Sequence, residues 1–147
     1  MDLSPTAWPA DFAGASRLFD LTIGGCGTLE RVTGTYVGEV LMRLSAGTWS
    51  YAMVRETVRQ GLLGGGAGDG EVADLVARFV EGRPIGDNVQ LAADIVSAFV
   101  NGREAVAAAK KAQAAERDLL DALAAGIAPQ PDPETFPNTI SSAQPSS

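Results

Sequence analysis

The residues of this chain whose types and spacing invite chemistry are one cysteine, a run of glycines, four carboxylates, and a tryptophan followed by two arginines. Cys26 is the lone thiol. A thiol becomes a nucleophile when a base, a cation or a helix N-terminus lowers its pKa. Cys26 precedes a candidate helix start, but the chain contains no histidine to activate it. The expectation is therefore a small, buried or idle thiol. The missing histidine also removes the commonest general base and metal ligand. One cysteine permits neither an internal disulfide nor a thiolate metal cluster.

The stretch Gly61-Leu-Leu-Gly-Gly-Gly-Ala-Gly-Asp-Gly70 has the glycine content of a phosphate loop. A phosphate loop needs a lysine and a hydroxyl after its last glycine. Here Asp69 and Glu71 occupy that neighbourhood, and their charge would repel phosphate. The stretch reads instead as a helix–helix connection. Asp69, Glu71, Asp74 and Asp87 are carboxylates, but their order matches no calcium loop. Asp69 and Asp87 read better as helix caps, and Asp74 as a solvated surface residue. Neither a catalytic residue, a cofactor site nor a metal site is expected. Trp and Arg are enriched at binding hot spots. Trp49, Arg55 and Arg59, with the glycines Gly64, Gly65 and Gly66, are accordingly the candidate protein-contact residues. The competing expectation is that Trp49 staples the start of a helix and the arginines pair with Glu56 or other acids.

Several elements must position these residues. The 147 residues suffice for one compact domain, and 46% of them are apolar, enough for a core. Residues 1–18 hold Pro5, Pro9, Gly14 and an isolated Trp8 and read as a flexible arm. Phe19 to Ile23 alternates weakly, as a short strand or the approach to a helix, and Gly24-Gly25 should break it. A short helix is expected over Thr28–Val32, closed by Gly34. Another runs from Tyr36 to Ser45, with Val37, Val40, Leu41 and Leu44 on one face and Gly47 past its end. Thr48 or Ser50 should cap the next helix, which reaches about Leu62. Its inner side is Val54, Thr57, Val58, Gly61 and Leu62, and its outer side Arg55, Glu56, Arg59 and Gln60. Val72, Leu75, Val76, Phe79 and Val80 have helical spacing, with Asp74, Arg78 and Glu81 facing away and Gly82 and Pro84 ending the helix. Asp87-Asn-Val-Gln90 has the form of a capping box. The helix it opens is apolar on more than one face, as in the centre of a bundle. The expected fold is all-α: a small helical bundle over 19–102, with a short N-terminal strand as an option. An Ala-rich helix over 103–127 and a disordered Pro/Ser-rich tail over 128–147 follow.

Eleven basic against eighteen acidic residues give a net charge of −7. Such a chain is repelled by phosphate backbones and anionic membranes, so neither nucleic acid nor a membrane is an expected partner. The first ten residues lack a basic leader, and no apolar run approaches the ~20 residues that cross a bilayer. A soluble, intracellular protein is expected.

The middle of the chain adds a resemblance. It rests on Leu21-Thr-Ile-Gly-Gly-Cys-Gly-Thr-Leu-Glu30, Gly34, Arg43-Leu44 and Gly47-Thr-Trp49. Leu75-Val76, Phe79-Val80, Arg83-Pro84, Leu91-Ala92 and Ile95-Val96 continue it. Its most specific piece is Val54-Arg-Glu-Thr-Val-Arg-Gln-Gly-Leu-Leu-Gly-Gly-Gly66. This order, over about 19–102, is similar to the small tail proteins of gene transfer agents and related siphophages. The resemblance implies a non-catalytic role in building a long, non-contractile tail. The role it suggests first is a tail assembly chaperone that shields the tape measure protein and recruits tail tube subunits. The alternative is a structural subunit retained in the mature tail. The implied partners are the tape measure protein and the tail tube protein, with a homo-oligomer as a further option. The implied location is the cytoplasm of the bacterial host, or the virion for a structural subunit. No catalytic residue defines that family, so none carries over.

Overall fold

A β-hairpin precedes the helices. Strands β1 (Trp8–Phe12) and β2 (Ala15–Phe19) pair antiparallel, with Trp8 opposite Phe19 and Phe12 opposite Ala15. Ala13 and Gly14, which join them, both have positive φ, at 56° and 81°. That is the requirement of a type I′ turn, whose twist matches that of the flanking strands. The hairpin corrects the expectation of a flexible arm over 1–18. Ala7, Phe12 and Phe19 are buried, and the Phe12 and Phe19 rings meet edge to face with centroids 5.7 Å apart. Pro5 and Pro9 suggested disorder, but Pro9 sits in a two-stranded sheet, where half of the backbone N–H groups need no ladder partner.

The computed structural model describes residues 3–126, so the tail expected over 128–147 and residue 127 lie outside the described residues. Six α-helices follow the hairpin among these residues: α1 (Thr22–Thr33), α2 (Val37–Ala46), α3 (Tyr51–Gly64), α4 (Asp69–Val76), α5 (Val89–Asn101) and α6 (Arg103–Ala124). The fold class is all-α with one short hairpin. The chain divides into two compact units, Met1–Ala109 and Lys110–Ser147. The first holds the hairpin, α1 to α5 and the start of α6. The described part of the second is the remainder of α6, on which Leu119, Leu120 and Leu123 are exposed.

Helix α1 begins earlier than expected and contains Gly24 and Gly25 instead of being broken by them. The Thr22 hydroxyl accepts a hydrogen bond from the Gly25 amide at 3.1 Å, satisfying one of the donors left open at a helix start. Gly25 faces Gln60 of α3, whereas a Cβ on Gly24 or Gly27 would meet nothing within 4 Å. Gly34 and Gly47 close α1 and α2 in the left-handed conformation, as expected. Ser50 caps α3, accepting from the Met53 amide at 3.2 Å.

Helices α3 and α5 form the centre. Helix α3 packs on α1, α4, α5 and β2, and α5 on α2, α3 and β1. Val54, Thr57, Val58, Gly61 and Leu62 are all buried on α3, and Ala92, Ile95, Val96 and Ala98 on α5. Glu56 and Gln60 depart from the expected outer face: both are buried. Because α3 has neighbours on several sides, few of its positions remain outside. Asp69 does not cap α4. Gly68 is the N-cap, and Asp69 and Glu71 are acids of the first turn, where the helix dipole favours them. Helix α4 passes into a π-turn over Ala77–Glu81 that ends at Gly82. The expected capping box at Asp87–Gln90 does not form. A 3-10 turn over Ile85–Asn88 leads into α5, and the Asn88 side chain bonds the Phe79 carbonyl at 3.0 Å instead.

Candidate protein-binding surface

The candidate contact residues lie on or beside α3, and their surroundings differ. Trp49 is half-buried and packs against the core just ahead of the Ser50 cap. This matches its expected stapling position at the start of the helix. Arg55 and Arg59 project from α3 on either side of Glu56. The Glu56 carboxylate is buried, and Arg59 Nη1 donates to its Oε2 at 2.9 Å while Gln60 Nε2 donates to the same oxygen at 2.7 Å. Arg55 Nη1 lies 3.7 Å from the other oxygen, and Arg55 Nε donates to Glu81 Oε2 at 2.5 Å across to the π-turn. The bond to Glu81 holds the Arg55 guanidinium above its ordinary pKa despite some desolvation. Arg55 and Arg59 thus neutralise a buried acid and still leave about two fifths of each side chain open, 36% and 41%.

The glycines at the end of α3 meet the end of the hairpin. A Cβ on Gly64 would fall 1.8 Å from the Asp20 carbonyl oxygen, and one on Gly65 would fall 1.9 Å from that of Leu18. Only glycine lets these two backbones touch. The Asp20 amide donates to the Gly61 carbonyl at 2.9 Å, sharing that oxygen with the Gly65 amide, which also bonds it at 2.9 Å. A Cβ on Gly61 would press on Phe19 at 3.2 Å and on Ile95 at 3.3 Å. Gly64 and Gly65 therefore have an internal task. Gly66, at φ +107°, is exposed.

Sequence reasoning did not single out the apolar residues left open on the outside. Ile23 is 86% exposed, Tyr36 80% and Met42 70%. Met42 lines a shallow cleft of about 600 Å³ along α2, with Glu39, Arg43, Ala46 and Thr48. The signal for Met42 was available: it falls out of phase with the buried stripe of Val40 and Leu44 on the same helix. Tyr36, at the N-cap of α2, carried no comparable signal. Cys26 is half-buried, and burial, then the charge of Glu30, pushes its thiol pKa up, which makes it a poorer nucleophile at neutral pH. Among the described residues no group of three or more His, Cys, Asp or Glu side chains could hold a metal ion. None of the described helices is long and apolar enough to cross a membrane.

The described residues form a small, mostly helical domain with a closed core, and with arginines and isolated apolar side chains on its surface. Residues 7–102 match the family described as "Phage tail tube protein, GTA-gp10", and the chain belongs to that family. It is a protein of the phage and gene-transfer-agent tail type. No curated protein and no solved structure matches it.

Proposed function

We propose that this chain works without catalysis, by binding other tail proteins, and is a structural component carried into the finished tail. The observation that supports this most directly is the family match over residues 7–102, because that family is described as a tail tube protein. The surface is compatible with such a role. Exposed Tyr36 and Met42, and the open parts of Arg55 and Arg59, supply the residue types that anchor protein interfaces. Trp49, being half-buried, offers an edge to that surface. The acidic net charge argues against nucleic acid as a partner. The partners in this reading are the tail tube protein and the tape measure protein.

A second reading is favoured by the α2 cleft. An unbranched, exposed methionine lining a shallow cleft adapts to different apolar side chains, and a cleft along a helix is a natural seat for another helix. A tail assembly chaperone that covers a helical tape measure protein in the host cytoplasm would use such a feature. Quantitative mass spectrometry of purified particles separates the two readings. A structural component appears in particles at a fixed ratio to the tube protein. Absence from particles, with copurification of a co-expressed soluble tape measure protein, would favour the chaperone. Absence from particles with no binding to either tail protein would sink both.

A further inference from the structure

The family match ends at residue 102 and begins at residue 7, and the short segments just outside its two ends bond to each other. The Arg103 amide, the first of α6, donates to the Pro5 carbonyl at 2.7 Å. The Arg103 guanidinium donates to the Ser4 carbonyl and lies 3.5 Å from the Ala7 carbonyl. Leu3, Pro5 and residues 101–105 together wall a pocket of about 630 Å³. A helix start leaves its first amides without intrahelical partners, and α6 has one of them satisfied by a segment almost a hundred residues away. Between α5 and α6 stands a single residue, Gly102, at φ +98° and ψ 146°. That backbone region is open essentially to glycine alone. Val106, one turn into α6, is buried, while Arg103 and Gly102 are half-exposed.

We infer that residues 3–7 are a latch on α6: they cap its first turn through Pro5 and grip Arg103, and Gly102 is the hinge the latch holds shut. The contacts suit reversible opening. The Ser4 carbonyl bonded by Arg103 lies at the surface, so water can take the place of the guanidinium when the latch opens. Thr6 and Ala7 anchor the other end of the latch: the Thr6 hydroxyl donates to Asp20 Oδ1 at 2.8 Å and Ala7 is buried, so the opening is confined to residues 3–5 and the Arg103 side chain. Coupling of this kind is reciprocal. A partner that takes up the N-terminal segment releases the start of α6, and a partner that reorients α6 exposes the N-terminal segment. The device is built on both sides of the family-matched stretch, and Ala7 is its one residue within it besides the Gly102 hinge.

The test is hydrogen exchange on the full-length protein, read by peptide mass spectrometry, for the wild type, Arg103→Ala, a deletion of residues 1–5, and the two changes combined. The expected result is a rise of about tenfold in exchange over the first turns of α6 for each single change, with α3 peptides unchanged. The combined variant should match the deletion alone, because the deletion removes both the Pro5 cap and the Ser4 carbonyl that Arg103 grips. Wild-type exchange at the start of α6 in Arg103→Ala would overturn the proposal. So would additive effects in the combined variant, or an equal rise throughout α3 and α5, which would make Arg103 a part of core stability. Arg103→Lys, which keeps the charge and loses the planar fork, is expected to fall between wild type and Arg103→Ala.

Discussion

Glycine does three different things in this chain, and each is testable at a single residue. At Gly64 a methyl group would collide with the Asp20 carbonyl, so Gly64→Ala is expected to cost at least about 2 kcal/mol in urea unfolding. At Gly24 and Gly27 the space is open and the residue is inside a helix. Alanine there should stabilise by up to about 1 kcal/mol, from helix propensity. At Gly34, Gly47 and Gly102 the backbone has positive φ and glycine relieves strain. If Gly64→Ala left the midpoint unchanged, the close approach of α3 to the hairpin would be wrong. Cys26 makes a second residue-scale prediction. Reaction needs the thiolate, and a raised pKa leaves less of it at neutral pH. Alkylation by iodoacetamide at pH 7.5 should be slower than for a small free thiol, and should climb as the pH rises toward the alkaline range. A rate equal to the free thiol at pH 7.5 would contradict the burial of Cys26.

At the scale of the element, the hairpin is the least expected part of the fold and rests on its turn. Ala13 has φ 56°, a conformation that costs an L-residue with a Cβ about 1–2 kcal/mol. Asparagine tolerates it better and is favoured before glycine in a type I′ turn. Ala13→Asn is therefore expected to stabilise the protein by about 0.5–1 kcal/mol, measured as a higher urea midpoint with unchanged slope. A lower midpoint would mean that the turn is not of this type. The helices repeat the same lesson about local signals. α1 absorbs Gly24, Gly25 and Gly27 because it packs on α3, with Gly25 against Gln60 and Leu29 buried, and tertiary packing outweighs weak propensity. In α4 the apolar spacing was legible, but the passage into a π-turn at Ala77 was not.

At the scale of the molecule, among the described residues the buried hydrophobic core cluster lies in the first unit and runs from Phe12 to Val96. A chain ending at Ala109 should therefore unfold as cooperatively as the full chain, with a melting temperature within about 2 °C of it, as expected for a change well below 1 kcal/mol. A drop of 10 °C or a broadened transition would show that residues beyond Ala109 contribute to the core.

Much of this protein was legible in the chain itself. Helical spacing gave the buried faces of α2, α3 and α4, the glycines at 34 and 47 marked helix ends, and the Val54-to-Gly66 motif carried the family resemblance that the match over 7–102 bears out. Periodicity is a local signal and survives without knowledge of neighbours. What required the tertiary structure was every judgement about what lies against what. Glu56 and Gln60 looked solvent-facing on a helical wheel, and only packing on several sides of α3 shows that they are buried and paired. The glycines 64 and 65 looked like a flexible connection, and only the approach of the hairpin shows that they make room for another backbone. The hairpin itself was hidden by prolines in the arm, and the Arg103 contacts with Ser4 and Pro5 join parts of the chain too distant for any local pattern to connect. The chain's composition sets which faces are apolar, and the packing of those faces decides which polar residues are left with tasks inside the fold.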